Sequence, residues 1–238
     1  ALVGDARIKA VSFTGSTPVG KSIQLAAAKN LTPTQLELGG KNPAIVLPDA
    51  DLDLAVAEIV KGAFACSGQW CTSTSRVIVL EETAEELTQR LVSAAKALAV
   101  RDGTAEDCGM GPVCGAKQKA DILAWIAKGR AEGARLLTGG AALDGEDYDH
   151  GCFISPTVFD RVTPAMTIAR EEIFGPVLAI MTVASFEEAV EVANGVAYGL
   201  SSSIFTNDLK RALTYMERAE VGLAHVNLMT ALKEPQVK

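Results

Sequence analysis

Apolar positions recur along this chain with two spacings, one helical and one strand-like, and the two take turns from end to end. The clearest helical signal is residues 83–99, where Ala84, Leu87, Leu91, Ala94, Ala95 and Leu98 fall three or four apart and share one face. Thr83 followed by Glu86 has the form of a capping box for that helix. Residues 44–47, Ala-Ile-Val-Leu, are apolar throughout, as a strand covered on both faces requires. A helix begun by Asp49 or Asp51 then runs through Leu54, Val56, Ile59 and Val60 to Phe64, and residues 76–80 form the next strand. Nearer the start, residues 7–13 read as a strand, Ser16 or Thr17 caps a helix with Pro18 in its first turn that continues to Asn30, and a short strand carries Glu37. After a glycine-rich connection at 102–115 the pattern predicts a helix near 116–132, a strand at 134–138 and a surface loop at 139–151. A short helix is expected after Pro156-Thr157-Val158. Strand 177–183, helix 185–194, strand 201–205, helix 207–219 and strand 222–227 complete the series. This alternation predicts an α/β fold, a mostly parallel twisted sheet with helices on both faces.

Composition narrows the function. Aliphatic residues are abundant and aromatic ones are only 5% of the chain, which suits a buried parallel sheet. The net charge of -7 offers no basic face to displace counterions, so no nucleic-acid partner is expected. No apolar run approaches the roughly 20 residues that span a bilayer, so no membrane partner is expected and the cytoplasm is the expected location. Five cysteines at irregular spacing make neither a disulfide framework nor a zinc site, and no metal is expected. The chain opens at Ala1 without a methionine and stops at Lys238 in mid-segment, which reads as a piece of a longer protein.

Candidate chemistry centres on Phe64-Ala65-Cys66-Ser67-Gly68-Gln69-Trp70-Cys71. A Gly-Gln-x-Cys turn after an apolar helix brings the Cys71 thiol out of the packed layer, where small neighbours let another molecule approach it. Cys66, about one helical turn earlier, is expected in the core. Glu37 lies between Leu36 and Leu38, so strand alternation sends it to the face opposite both leucines. Gly15 to Ser22 also satisfies the phosphate-loop pattern G-x-x-x-x-G-K-S, the alternative reading of the chain as a nucleotide-binding protein. Pro18 argues against it, because proline has no N–H to offer a phosphate. A cysteine hydrolase would need a histidine base, and only His150, in a polar loop, and His225, in a terminal apolar strand, exist.

Four motifs in one order carry a resemblance: Phe13-Thr14-Gly15-Ser16-Thr17, Leu36-Glu37-Leu38-Gly39-Gly40-Lys41, Phe64-x-x-x-Gly68-Gln69-x-Cys71 and Glu171-Glu172-Ile173-Phe174-Gly175-Pro176. Together they resemble the NAD(P)-dependent aldehyde dehydrogenases, over nearly the whole chain and corresponding to roughly the C-terminal half of a member. The resemblance implies that Cys71 is the nucleophile and Glu37 the general base. It implies that Gly15 and Ser16 lie by the nicotinamide and pyrophosphate of NAD or NADP, that Glu172 holds the nicotinamide ribose and that Phe174 flanks the ring. Trp70 and Thr72, beside Cys71, are expected to line the pocket for a small-molecule aldehyde. Residues 1–38 would be the end of a dinucleotide-binding domain and 39–238 a truncated catalytic domain. The family's oxyanion-hole asparagine and its adenosine-ribose ligands would lie upstream of Ala1. The chain alone is therefore expected to bind cofactor poorly and turn over little, and the full-length protein to be a homodimer or homotetramer. A non-catalytic member of the family is the remaining alternative. The tail Val226 to Gln236 resembles the subgroup acting on semialdehydes such as α-ketoglutaric semialdehyde.

Overall fold

The computed structural model describes residues 2–231 and separates into two compact units, Ala1–Gly40 and Lys41–Lys238. In the first, β1 (Val11–Thr14), α1 (Thr17–Ala28) and β2 (Thr34–Glu37) form a strand-helix-strand unit with the strands parallel, Phe13 opposite Leu36 and Thr14 opposite Glu37. Both strands alternate half-buried with exposed residues; Glu37 is on the face opposite Leu36, as strand alternation required, and that face is exposed. Gly20 lets α1 lie close on the strand exit, since a Cβ there would come within 2.5 Å of the Leu38 side chain.

The second unit is built on a seven-stranded sheet. Its strands are β3 (Asn42–Val46), β4 (Thr74–Leu80), β5 (Arg135–Thr138), β6 (Thr157–Asp160), β7 (Val177–Val183), β8 (Ser201–Phe205) and β9 (Leu223–Val226), in the order β5-β6-β7-β4-β3-β8-β9. Every pair is parallel except β5 with β6. Helices α2 (Leu52–Phe64) and α3 (Glu81–Ala97) cover one face. Helices α4 (Ala116–Ala131), α5 (Thr167–Arg170), α6 (Phe186–Asn194) and α7 (Leu209–Arg218) supply the core of the other. Ala44 and Val46 turn towards α2 and α3, whereas Ile45 and Leu47 turn to the opposite core. Burial on both faces is why that strand shows no alternation in sequence.

Three local expectations change. The first strand is shorter than 7–13, starting only at Val11 where pairing with β2 begins. The capping box does not form: α3 starts at Glu81 with Leu80 as its N-cap, so Thr83 already sits in the first turn. Glu81 and Glu82 instead place negative charge on the positive end of the helix dipole. Asp51 does cap α2, accepting from the N–H groups of Asp53 and Leu54. Residues 157–160 make a strand rather than leading directly to a helix, because the short Thr-Val-Phe-Asp run pairs with both β5 and β7.

Candidate active site

The chain leaves α2 through a 3₁₀ turn, Ala65–Gly68, in which three consecutive residues adopt left-handed backbone: Cys66 at φ 50°, Ser67 at 57° and Gly68 at 67°. For Cys66 and Ser67 this conformation costs on the order of 1–2 kcal/mol each, so the surroundings must hold it. Ser67 donates its hydroxyl to the carbonyl of Gly111 at 2.7 Å. Gln69 accepts from the Cys114 N–H at 2.8 Å, and its own N–H returns to the Cys66 carbonyl. Because helical geometry ends at Phe64, the spacing that placed Cys66 in the core does not apply, and Cys66 is exposed.

Cys71 follows at the entry to β4, half-buried, with its carbonyl accepting from the Asn42 side-chain amide at 2.8 Å. The same amide group donates to the Ser73 carbonyl at 2.8 Å, and the Asn42 Oδ1 accepts from the Ser201 N–H. Asn42 thus ties the cysteine turn to β3 and β8. The motif that ends at Lys41 stops one residue short of Asn42, although a polar residue between a glycine pair and an apolar strand was the available signal. Truncating the buried Asn42 to alanine strands two carbonyls and one N–H, and is expected to cost about 3 kcal/mol. Urea unfolding with an unchanged m-value would measure it. Trp70 is 40% exposed beside Cys71, and the Thr72 carbonyl accepts from the Thr230 hydroxyl at 2.7 Å.

The fourth motif meets the third directly. A Cβ on Gly68 would lie 2.3 Å from the carbonyl oxygen of Gly175, and one on Gly175 would lie 2.5 Å from Ile122. The cysteine turn and the Glu171–Pro176 turn are therefore packed backbone against backbone, at a spacing only glycine allows. Phe174 has φ 54° and a 40% exposed ring. Gln118, on α4, donates to the carbonyls of Phe174 at 2.8 Å and Ile173 at 3.4 Å, fixing that turn. No motif marked Gln118, and its role is visible only in the folded chain. A cleft of about 440 Å³ opens here, lined in part by Gln118, Trp125, Lys128, Glu172 and Phe174. A larger cleft of about 730 Å³ lies by α3, β5 and β6 and contains none of the predicted residues.

Cys71, the Glu171–Pro176 turn and Lys41 all sit where β4, β7 and β3 begin. That is the opposite edge from the carboxyl ends at which open α/β sheets usually hold ligands. In the first unit the usual rule applies: Gly15, Ser16 and Glu37 lie at the carboxyl ends of β1 and β2, with the Gly15 N–H donating to the Glu37 carbonyl. Ser16 is the N-cap of α1 but makes no side-chain capping bond. The phosphate-loop pattern is no loop here, since α1 begins at Thr17 and Gly20, Lys21 and Ser22 lie within the helix. Only two residues separate strand from helix, too few to wrap a phosphate.

Beneath the cysteine turn two cations are buried. The Arg76 guanidinium donates to the carbonyls of Lys41, Val192 and Ala193 at 2.8–2.9 Å, so it caps the carboxyl end of α6. Burial holds it well below its usual range, at about 10. Lys41 is 1% exposed. Burial, and then the nearby Arg76 charge, push it down to about 7, opposed by Glu172 and Glu171. His225 lies on β9 and burial pushes its imidazole pKa down. His150 is in the exposed 139–151 loop, facing Asp102 at 3.8 Å. Among the described residues no helix is long and apolar enough to cross a membrane.

The profile of the aldehyde dehydrogenase family matches residues 1–238. The chain belongs to the aldehyde dehydrogenase family. It is 45% identical over 229 residues to the α-ketoglutaric semialdehyde dehydrogenase of Bacillus subtilis, covering 96% of this chain and 47% of that protein. To human retinaldehyde dehydrogenase 3 it is also 45% identical, over 98% of this chain and 45% of the relative. A crystal structure of a betaine aldehyde dehydrogenase point mutant from Staphylococcus aureus in complex with NAD+ superposes with a TM-score of 0.96 at 34% identity, covering 99% of this chain and 48% of that one. The chain thus spans about half the length of the aldehyde dehydrogenases it matches. The α/β architecture expected from periodicity is the one this family shares.

Proposed function

We propose that this chain carries the nucleophile of an enzyme that oxidises an aldehyde to a carboxylic acid with NAD+ or NADP+. The observation that supports it most is the packing of Gly68 on Gly175, which joins the Cys71 turn to the one bearing Glu172 and Phe174. In the mechanism, the Cys71 sulfur attacks the aldehyde carbon to give a thiohemiacetal, and the Cys71 backbone N–H is assigned to the developing oxyanion. Bound nicotinamide would supply hydride acceptance, which takes the thiohemiacetal carbon to a thioester on Cys71. Glu37 then removes a proton from the water that releases the acid.

The residues suit such a cofactor. The N-terminus of the twelve-residue α1, whose cap hydroxyl is not used in capping, offers N–H groups to a diphosphate. The Glu172 carboxylate suits a ribose diol, and the exposed Phe174 ring a planar base. Residues 1–38 are assigned to the end of a dinucleotide-binding domain and 39–238 to the catalytic domain; the compact units divide two residues later. Trp70 and Thr72 are assigned to the aldehyde pocket. The suggestion of a semialdehyde substrate rests on Val226 to Gln236, of which residues 232–236 lie outside the described ones. Equal identity to a semialdehyde enzyme and a retinaldehyde enzyme gives no preference. We assign the protein to the reducing cytoplasm, consistent with five free cysteines, and to a homo-oligomer. Leu209, Leu213 and Met216 form an exposed stripe on α7 that a second copy would cover.

The test is NAD(P)H formation with α-ketoglutaric semialdehyde, betaine aldehyde and retinaldehyde, with the acid product identified. Acid formation dependent on cofactor supports the reading, and turnover that survives loss of Cys71 defeats it. Glu37→Gln is expected to slow acid release by about a hundredfold or more and to leave an acyl group on Cys71, detectable by mass spectrometry of the intact protein.

A further inference from the structure

After β9 the chain runs back along β8, and no step of the proposed reaction uses this return segment. It is stitched to β8 by two short hydrogen bonds, from the Ser203 hydroxyl to the Leu228 carbonyl and from the Ser201 hydroxyl to the Thr230 carbonyl, both at 2.6 Å. Thr230 is completely buried, and its hydroxyl donates to the Thr72 carbonyl at 2.7 Å. That bond uses its one proton, so in the 2.8 Å contact with Thr74 the Thr74 hydroxyl is the donor. One residue earlier, the Met229 N–H donates to the Glu58 carboxylate on α2 at 2.8 Å. α2 leads into the cysteine turn, and Thr72 lies just beyond the nucleophile. Met229 and Thr230 therefore bond to both sides of that turn. The three segments meet at Gly62, where a Cβ would lie 2.5 Å from the Thr74 hydroxyl oxygen and 3.1 Å from the Met229 Cβ. Pairing of β4 with β3 starts only at Thr74, so strand bonds do not hold the stretch that carries the thiol. Side chains hold it instead: Asn42 takes the carbonyls of Cys71 and Ser73, and Thr230 takes the one between them.

We propose that Thr230 is a positioning residue for the Cys71 thiol, its buried hydroxyl bracing the cysteine turn between α2 and β4. The inference rests on the reading of Cys71 as the nucleophile, and the experiment separates the two. In this chain the rate at which iodoacetamide alkylates each cysteine is followed by peptide mass spectrometry. Thr230→Val keeps the side-chain shape and leaves the Thr72 carbonyl without its donor. Alkylation of Cys71 is expected to rise about fivefold, the population shift that one lost hydrogen bond produces. Cys152, half-buried against the core, should keep its rate, because the fold stays closed. Thr230→Ser retains the hydroxyl and should leave Cys71 at its original rate. In the whole protein Thr230→Val is expected to lower kcat about a hundredfold, the effect of a misplacement of about 1 Å, with the aldehyde KM little changed. Glu58→Ala releases the other end of the brace from a half-buried position on α2, and should raise Cys71 alkylation even where Thr230→Val fails to fold. Unchanged Cys71 alkylation in both variants overturns the proposal, as does a rise that Cys152 shares, the mark of general loosening. Unaltered turnover by Thr230→Val, with Cys71→Ser inactive, overturns it as well. A selective rise at Cys71 together with full turnover by Cys71→Ser supports the brace and removes Cys71 as the nucleophile.

Discussion

Cys71→Ser is expected to lower aldehyde oxidation by the whole protein by about 10⁴-fold or more, the scale seen when an enzyme loses its nucleophile. The substitution exchanges sulfur for oxygen in a half-buried position whose backbone is held from outside, by the Asn42 amide on the Cys71 carbonyl. Folding should therefore be almost unaffected, within about 0.5 kcal/mol, as for substitutions that disturb no packing or buried bond. The chemistry loses on both steps: a neutral hydroxyl is a poor nucleophile without a base beside it, and the resulting ester releases its acyl group less readily than a thioester. Turnover by absorbance at the nicotinamide band and thermal melting measured on the same sample separate the two effects. Retention of a hundredth of the activity would mean that the reacting thiol is another one, and Cys66 and Cys114, both exposed, would be the next to replace.

Gly68→Ala should be among the most damaging single-methyl changes in the chain. Gly68 has φ 67°, where an L-residue pays about 1 kcal/mol, and its added Cβ would sit 2.3 Å from the Gly175 oxygen and 2.5 Å from its carbonyl carbon. Those are backbone atoms, and Gly175 is itself packed closely against the Ile122 side chain. Overpacking of this kind adds about 1–3 kcal/mol to the conformational cost, for a total of about 2–4 kcal/mol. If the turn moves instead, Cys71 moves relative to the Glu171–Pro176 turn, and a shift of about 1 Å can cost on the order of a hundredfold in rate. Gly145→Ala is the control: its φ of 101° is at least as unfavourable for an L-residue, but a Cβ there meets nothing within 4 Å. A chemical denaturation midpoint for Gly68→Ala no lower than for Gly145→Ala would show that the two turns are not in rigid contact.

Several site features were readable before any fold was known. That Glu37 faces away from Leu36 and Leu38 follows from a strand of period two, and β2 shows that alternation. The early start of α1 at the Ser16–Pro18 cap agrees with the sequence reading, and proline's missing N–H already argued against the phosphate-loop pattern. Other features were not readable. Cys66 was misplaced because helical spacing was extended past Phe64, where the chain turns left-handed. The Thr83–Glu86 box failed because the helix starts two residues sooner, a boundary that local pattern defines poorly.

By itself, the order of apolar and polar residues determined the succession of strands and helices, the doubly covered parallel sheet and the four motifs that mark the family. Those properties depend on neighbours within a few positions, so a linear reading reaches them. The folded chain alone decided that the cysteine turn and the Glu171–Pro176 turn share the amino edge of the sheet, pressed together through Gly68 and Gly175. It alone decided that Asn42 and Gln118 hold those turns and that Lys41 is buried beside Arg76. Each of these is a contact between residues far apart in the chain, set by sheet order and by exclusion of water, and no local periodicity encodes either.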